Sequence, residues 1–282
     1  MPSPQNPVPA YATTYLRSVR LRDAHFRTLT RHGLGAELYF QYGWDKLSLP
    51  AHRELARVVA GELGRCAVHL PYSGQGPARE LSDPDAVGAF RRSLEAAALY
   101  APDHLVGHAE YQSLRDSASG ARKFPGLKNG PLDDGPHRPS REFLDRSAAF
   151  WRLALDASGA RLFLENTFEH SPLPILRLIG LLGPRAGLCL DIGHWFHYAM
   201  GRHWDNLREW VALAGPSLRH LHLHDNDGEG DQHRGLGQAG IDLPMVWGLL
   251  REVRPHPSYT LENHRLEGLE QSLAYLEGHP LF

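Results

Sequence analysis

Two periods of hydrophobicity alternate along this chain. Short runs with apolar side chains at every second position, or at every position, predict strands at residues 8–14, 36–42, 66–70, 105–110, 161–167, 188–192, 218–224 and 258–263. Longer segments with apolar residues three and four apart predict helices over 21–31, 51–63, 85–99, 141–156, 174–182, 206–214, 243–253 and 266–276. Strict alternation implies parallel strands. Eight such strand-helix units in 282 residues favour a closed (β/α)8 TIM barrel, α/β in class, over an open doubly wound sheet. No G-x-G-x-x-G follows an early strand, so a dinucleotide-binding fold has no support.

One connection breaks the rhythm. Between the fourth strand and the fourth helix, residues 111–140 carry Gly, Pro, Ser and the basic residues Arg115, Arg122, Lys123 and Lys128 without periodicity. A loop of this length in a compact domain is a candidate lid, and following a strand places it on the C-terminal rim of a barrel. The rest of residues 1–282 reads as a single domain.

Charge narrows the partners. Thirty basic against 32 acidic residues give a net charge of -2, so there is no global basic field to hold a polyanion, and nucleic acid is a disfavoured partner. The first 14 residues lack a charged segment followed by an apolar block, and no apolar run reaches membrane-spanning length. Cys66 and Cys189 lie in apolar strand-like surroundings and read as reduced core residues. The expectation is a soluble cytoplasmic protein with a small-molecule substrate.

Candidate chemistry gathers at the predicted strand ends. His69, His108, Glu165, Asp191, His222 and Glu262 close strands three to eight, and Leu164, Leu190 and Leu261 immediately precede the three carboxylates. Strand alternation then turns the leucines toward the helices and the carboxylates toward the barrel axis. A single such glutamate could merely cap a helix. Several buried carboxylates and imidazoles together call for a cation to offset desolvation and mutual repulsion. The richest stretch is 218–242, where His220, His222 and His224 share one strand face and a glycine-rich loop adds Asp231 and His233. Imidazole beside carboxylate is ligand chemistry for zinc and its borderline neighbours. His194, three residues after Asp191, reads as the start of a loop that reaches the same centre, and His220, one step deeper, as a residue behind the ligands. His197, His203, His256 and His264 show no pattern above that of surface residues. Trp195, Phe196 and Trp204 read as wall or lid, and Arg234 as a clamp for a substrate oxygen.

These residues resemble the xylose-isomerase-like barrel superfamily, which includes the class II AP endonucleases (endonuclease IV-like), sugar isomerases and epimerases. His69-Leu70-Pro71-Tyr72, Glu165-Asn166-Thr167, Cys189-Leu190-Asp191-Ile192-Gly193-His194, His222-Leu223-His224-Asp225 and Asp231-Gln232-His233 are similar to its motifs in strand order, with His224 where the family pattern has Asn. The resemblance implies up to three zinc ions held by His69, His108, Glu165, Asp191, His194, His222, Asp231, His233 and Glu262. It implies catalytic roles for Glu165, Glu262 and His194, and substrate contacts from Tyr72, Trp195 and Arg234.

Two chemistries follow from the resemblance. In its hydrolases several zinc ions act together on a phosphodiester. In its isomerases and epimerases one Mn, Co or Mg ion, held by the counterparts of Glu165, Asp191, His222 and Glu262, binds two sugar oxygens while the glutamates move protons. The further ligands favour the hydrolase, with a small molecule or a nucleotide-containing cofactor such as a cobamide as substrate. AP-site cleavage in DNA is the more remote expectation.

Overall fold

Eight parallel strands pair in sequence order and close on themselves, β1 (Ala10–Tyr15), β2 (Gly35–Tyr39), β3 (Cys66–His69), β4 (His104–His108), β5 (Arg161–Glu165), β6 (Ala186–Asp191), β7 (Leu218–Leu223) and β8 (Ser258–Leu261). The closure is made by β1 beside β8, with Tyr11 opposite Thr260. The computed structural model describes residues 8–40, 47–72, 81–109, 140–167, 169, 171–198 and 204–282. The candidate lid at 111–140 lies outside the described residues, apart from its last residue, Ser140.

Among the described residues the helices are α1 (Leu16–Leu21), α2 (Ala24–His32), α3 (Leu49–Glu62), α4 (Pro84–Ala98), α5 (Arg141–Ser158), α6 (Leu173–Leu182), α7 (Ile192–Tyr198), α8 (Trp204–Ala214), α9 (Leu243–Leu250) and α10 (Leu266–Gly278). Local sequence starts and stops them. Asp23, Ser48, Asp83, Ser140 and Asp242 each accept a first-turn backbone N–H through the side chain, satisfying donors that a helix leaves open. Gly33 and Gly159 end α2 and α5 in the left-handed conformation.

Two expectations need correction. The helix predicted over 21–31 begins three residues later, at Ala24, because the chain turns at Arg22 and Asp23 caps it through Phe26 N, and a short helix not predicted, Leu16–Leu21, precedes it. Residues 192–198 are helical, so His194 stands on the first turn of α7 and not on a loop.

The main core fills the space between strands and helices. Leu38, Leu105, Leu164, Leu190, Leu221 and Leu261 face it and are essentially inaccessible. Inside the barrel a separate apolar plug of Val106, Phe163 and Cys189 sits between strands. The polar side chains on the same inward faces are therefore consigned to one axial column. Both thiols are buried and free, and burial pushes each well above its usual range. Among the described residues no helix is long and apolar enough to cross a membrane.

Candidate metal centre

Strand alternation delivers the ligands. On β4, β5 and β6 the inward positions run His104, Val106, His108; Phe163, Glu165; and Cys189, Asp191, while β7 presents His220 and His222 and continues to His224. Register puts His108 opposite Glu165 and Asp191 opposite His222. Glu262 follows β8 directly and its N–H donates to Leu223 O, which holds it beside β7. All of these side chains are buried, with His108 the most exposed at 8%.

Glu165 is the hub. Its Oε2 lies 3.0 Å from His69 Nε2 and 3.4 Å from His108 Nε2, and its Oε1 lies 3.0 Å from His194 Nδ1 and 3.4 Å from His222 Nδ1. His222 Nδ1 is also 3.0 Å from Glu262 Oε2. Yet Glu165 Oε1, Glu262 Oε2 and His222 Nδ1 lack a hydrogen bond of normal geometry. Ligand atoms bonded to one zinc ion at about 2.0–2.2 Å stand roughly 3.3 Å apart in a tetrahedron. Close approach without alignment is what lone pairs directed at a shared point produce, so the donor set fits a divalent cation. His69, Glu165, His222 and Glu262 have ligand atoms within 4.8 Å of one another.

A second group adjoins it. His194 Nε2 is 3.2 Å from Asp231 Oδ2, and His233 Nε2 is 3.1 Å from Asp231 Oδ1. His224 Nε2 lies 3.2 Å from Asp191 Oδ2, which ties the two groups together. Asp231 and His233 come from the loop after β7, and Asp225 fixes that loop by accepting the N–H groups of Ala239 at 2.9 Å and Ile241 at 3.1 Å. His233 adopts φ 48°, a left-handed backbone that costs a non-glycine residue about 1–3 kcal/mol. Asn263 Nδ2 donating to His233 O at 3.2 Å helps hold it there.

Without a cation, protons balance the carboxylates. Burial alone would raise the Glu165 carboxyl, but His222, His108 and His194 outweigh it and hold it well below the usual range. Burial disfavours charge on His222 and His194, yet the carboxylates around each raise both well above an ordinary histidine. His233, under the same opposition, is raised to about 9, chiefly by Glu262 and Asp231. A basin that stabilises several imidazolium ions will stabilise a divalent ion in their place.

The structure thus brings His69, His108, Glu165, Asp191, His194, His222, Asp231, His233 and Glu262 to one mouth. Tyr72 is also there, exposed and stacked on His108 with centroids 4.1 Å apart. Trp195 is not, because it is buried in the main core and its indole N–H donates to Asn206. Arg234 lies on the rim with its guanidinium 3.0 Å from Asp227. Phe196 is a core residue like Trp195, and the side chain of Trp204 lies outside the described residues.

Two residues escaped the sequence reading, and His224, read there as sharing one strand face with His220 and His222, was given no place among the ligands. Glu37, inward on β2, is fully buried with Oε1 3.0 Å from His222 Nε2, while its Oε2 accepts from Thr260 and meets His220. His264 stacks on His233 with centroids 3.9 Å apart, and only the chain turn after Glu262 puts it there.

A parallel barrel with an imidazole- and carboxylate-lined C-terminal mouth belongs among the TIM-barrel proteins whose site is built from strand ends. More narrowly, the chain belongs to the xylose isomerase-like TIM barrel family, whose model matches residues 35–279. Members of that superfamily include epimerases, isomerases and endonucleases. No curated protein matches the chain. Among solved structures it resembles the TTHB071 protein from Thermus thermophilus soaked with zinc chloride, at 23% identity and TM-score 0.64 over 95% of this chain and 96% of that one. It also resembles a D-tagatose 3-epimerase-like protein, at 19% and 0.68 over 95% and 96%. A family 2 AP endonuclease from Brucella melitensis is similar at 15% and 0.61 over 96% and 99%.

Proposed function

We propose that the protein is a metal-dependent phosphodiesterase acting on a small molecule or a nucleotide-containing cofactor, with a cobamide as one candidate and zinc as the preferred metal. The observation that carries this reading is the crowding of Glu165, whose two oxygens are approached by His69 and His108 on one side and His194 and His222 on the other. A carboxylate shared in this way, and held well below its usual pKa, suits a bridging ligand and is a poor proton acceptor. Divalent ions bound there would offset phosphoryl charge and acidify water. Glu165 and Asp191 link the ligand groups, Glu262 and His222 complete the central one, and Tyr72 offers a ring at the rim. Near-neutral net charge argues against duplex DNA, which requires a broad cationic face.

The second reading is a single-metal sugar epimerase. It is favoured by the likeness to the D-tagatose 3-epimerase-like structure and needs only Glu165, Asp191, His222 and Glu262.

Metal stoichiometry of chelator-free protein, paired with turnover of bis-para-nitrophenyl phosphate, cobamides and ketoses, decides between the readings. More than one zinc ion per chain with phosphodiester cleavage is expected. One manganese or cobalt ion with ketose epimerisation would overturn the hydrolase. Asp231→Ala with His233→Ala should remove a metal and most activity from a hydrolase, and little from an epimerase.

A further inference from the structure

His224 is fully buried and points across α7 toward the loop after β7. Glycine at position 193 makes this possible, because a β-carbon there would collide with the His224 ring. Its ring is edge-on to His194 and stacked on that of His233, with centroids 4.1 Å apart, so one of the two stacked rings turns about its χ2 bond when both nitrogens aim at one ion. His194, His224, Asp231 and His233 each offer a ligand atom, and these four atoms all lie within 4.8 Å of one another. Nε2 of His224 is 3.9 Å from Asp231 Oδ1, the oxygen that His233 Nε2 approaches at 3.1 Å.

We propose that His224 completes a four-ligand shell with His194, Asp231 and His233, so that the cation held there is enclosed by protein and clasps the loop to the barrel. The inference rests on the reading that this mouth binds metal. Four protein ligands close the coordination sphere of zinc, whereas sites that handle substrate keep a position open. His194 and His224 come from α7 and from just past β7, while Asp231 and His233 come from the loop, so the ion would add a metal crosslink to the hydrogen bonds by which Asn226 and Asn263 already tie that loop to Gly193 O and His233 O. Substrate would then meet the cations around Glu165.

The competing role for His224 is donation from Nε2 to Asp191, 3.2 Å away, with no place in the metal shell. Cobalt substitution of the full chain separates the two. A closed shell predicts intense visible bands of a four-coordinate ion in the wild type. In His224→Asn it predicts weaker bands of higher coordination, a fall in affinity beyond the roughly 10–100-fold expected from losing an outer-shell partner, and loss of metal-dependent protection of residues 226–242 against proteolysis. Unchanged bands and affinity in the variant would overturn the clasp while leaving the metal reading intact. Should the variant fail to fold, the wild-type spectrum decides alone, because a spectrum of only five- or six-coordinate ions overturns it. A wild type that takes up no cobalt or zinc would sink the metal reading itself.

Discussion

Glu37 Oε1 and His222 Nε2 meet 3.0 Å apart beneath the mouth, both side chains fully buried and carried by strands β2 and β7. With Glu37 close below Nε2, it is Nδ1 of His222 that faces the centre, where it lies 3.0 Å from Glu262 and 3.4 Å from Glu165. Glu37 is thus a positioning carboxylate behind a candidate ligand. Losing such a partner lowers metal affinity about 10–100-fold. Glu37→Gln should therefore weaken metal binding by that factor in chelator competition, with Glu37→Ala weaker still. Equal affinity in all three proteins would remove Glu37 from the site.

The pH dependence has a defined sign. His233 is raised from 6.5 to about 9 in the folded metal-free protein, so its charged form stabilises the fold. That contribution is fully present below about pH 6.5 and is lost as pH rises through about 9. Metal-free protein should lose stability across this window, and zinc, which displaces the same proton, should bind more tightly across it. Calorimetry in buffers of different ionisation enthalpy should register proton release on zinc binding at neutral pH. A buffer-independent heat would contradict the assignment.

Gly193→Ala places a methyl group against His224. Overpacking of this kind costs typically about 1–3 kcal/mol. Melting of the metal-free variant should fall by several degrees, and its metal content should drop because His224 must swing away from Asp231. Retention of wild-type stability and metal content would show that the ring moves freely.

Asp225→Asn keeps every candidate ligand but replaces one acceptor oxygen with an amide that faces the N–H of Ala239 or Ile241. Unmaking a buried hydrogen bond costs about 1–3 kcal/mol. The metal-free variant should unfold earlier by roughly 2–4 °C per kcal/mol at this chain size, and binding at Asp231 and His233 should weaken while the ions around Glu165 stay. Uniform loss of all ions would assign Asp225 to the whole mouth.

Much of this was legible in the chain itself. Leu164-Glu165, Leu190-Asp191 and Leu261-Glu262 announce their orientation because a strand's period of two is local, and burial of the leucines enforces it. Once eight parallel strands are inferred, their C-terminal ends must share one rim. Contacts between distant strands and turns are another matter, because periodicity names a face and never its neighbour. Glu37 in Ala36-Glu37-Leu38 has the parity of an inward residue, but only barrel closure through β1 and β8 brings it under His222. Trp195 beside His194 reads like a mouth residue until α7 forms and rotates its ring into the main core while His194 stays on the site side. Proximity across a closed barrel belongs to tertiary structure, since it depends on which strands become neighbours and on how each loop folds back over the mouth.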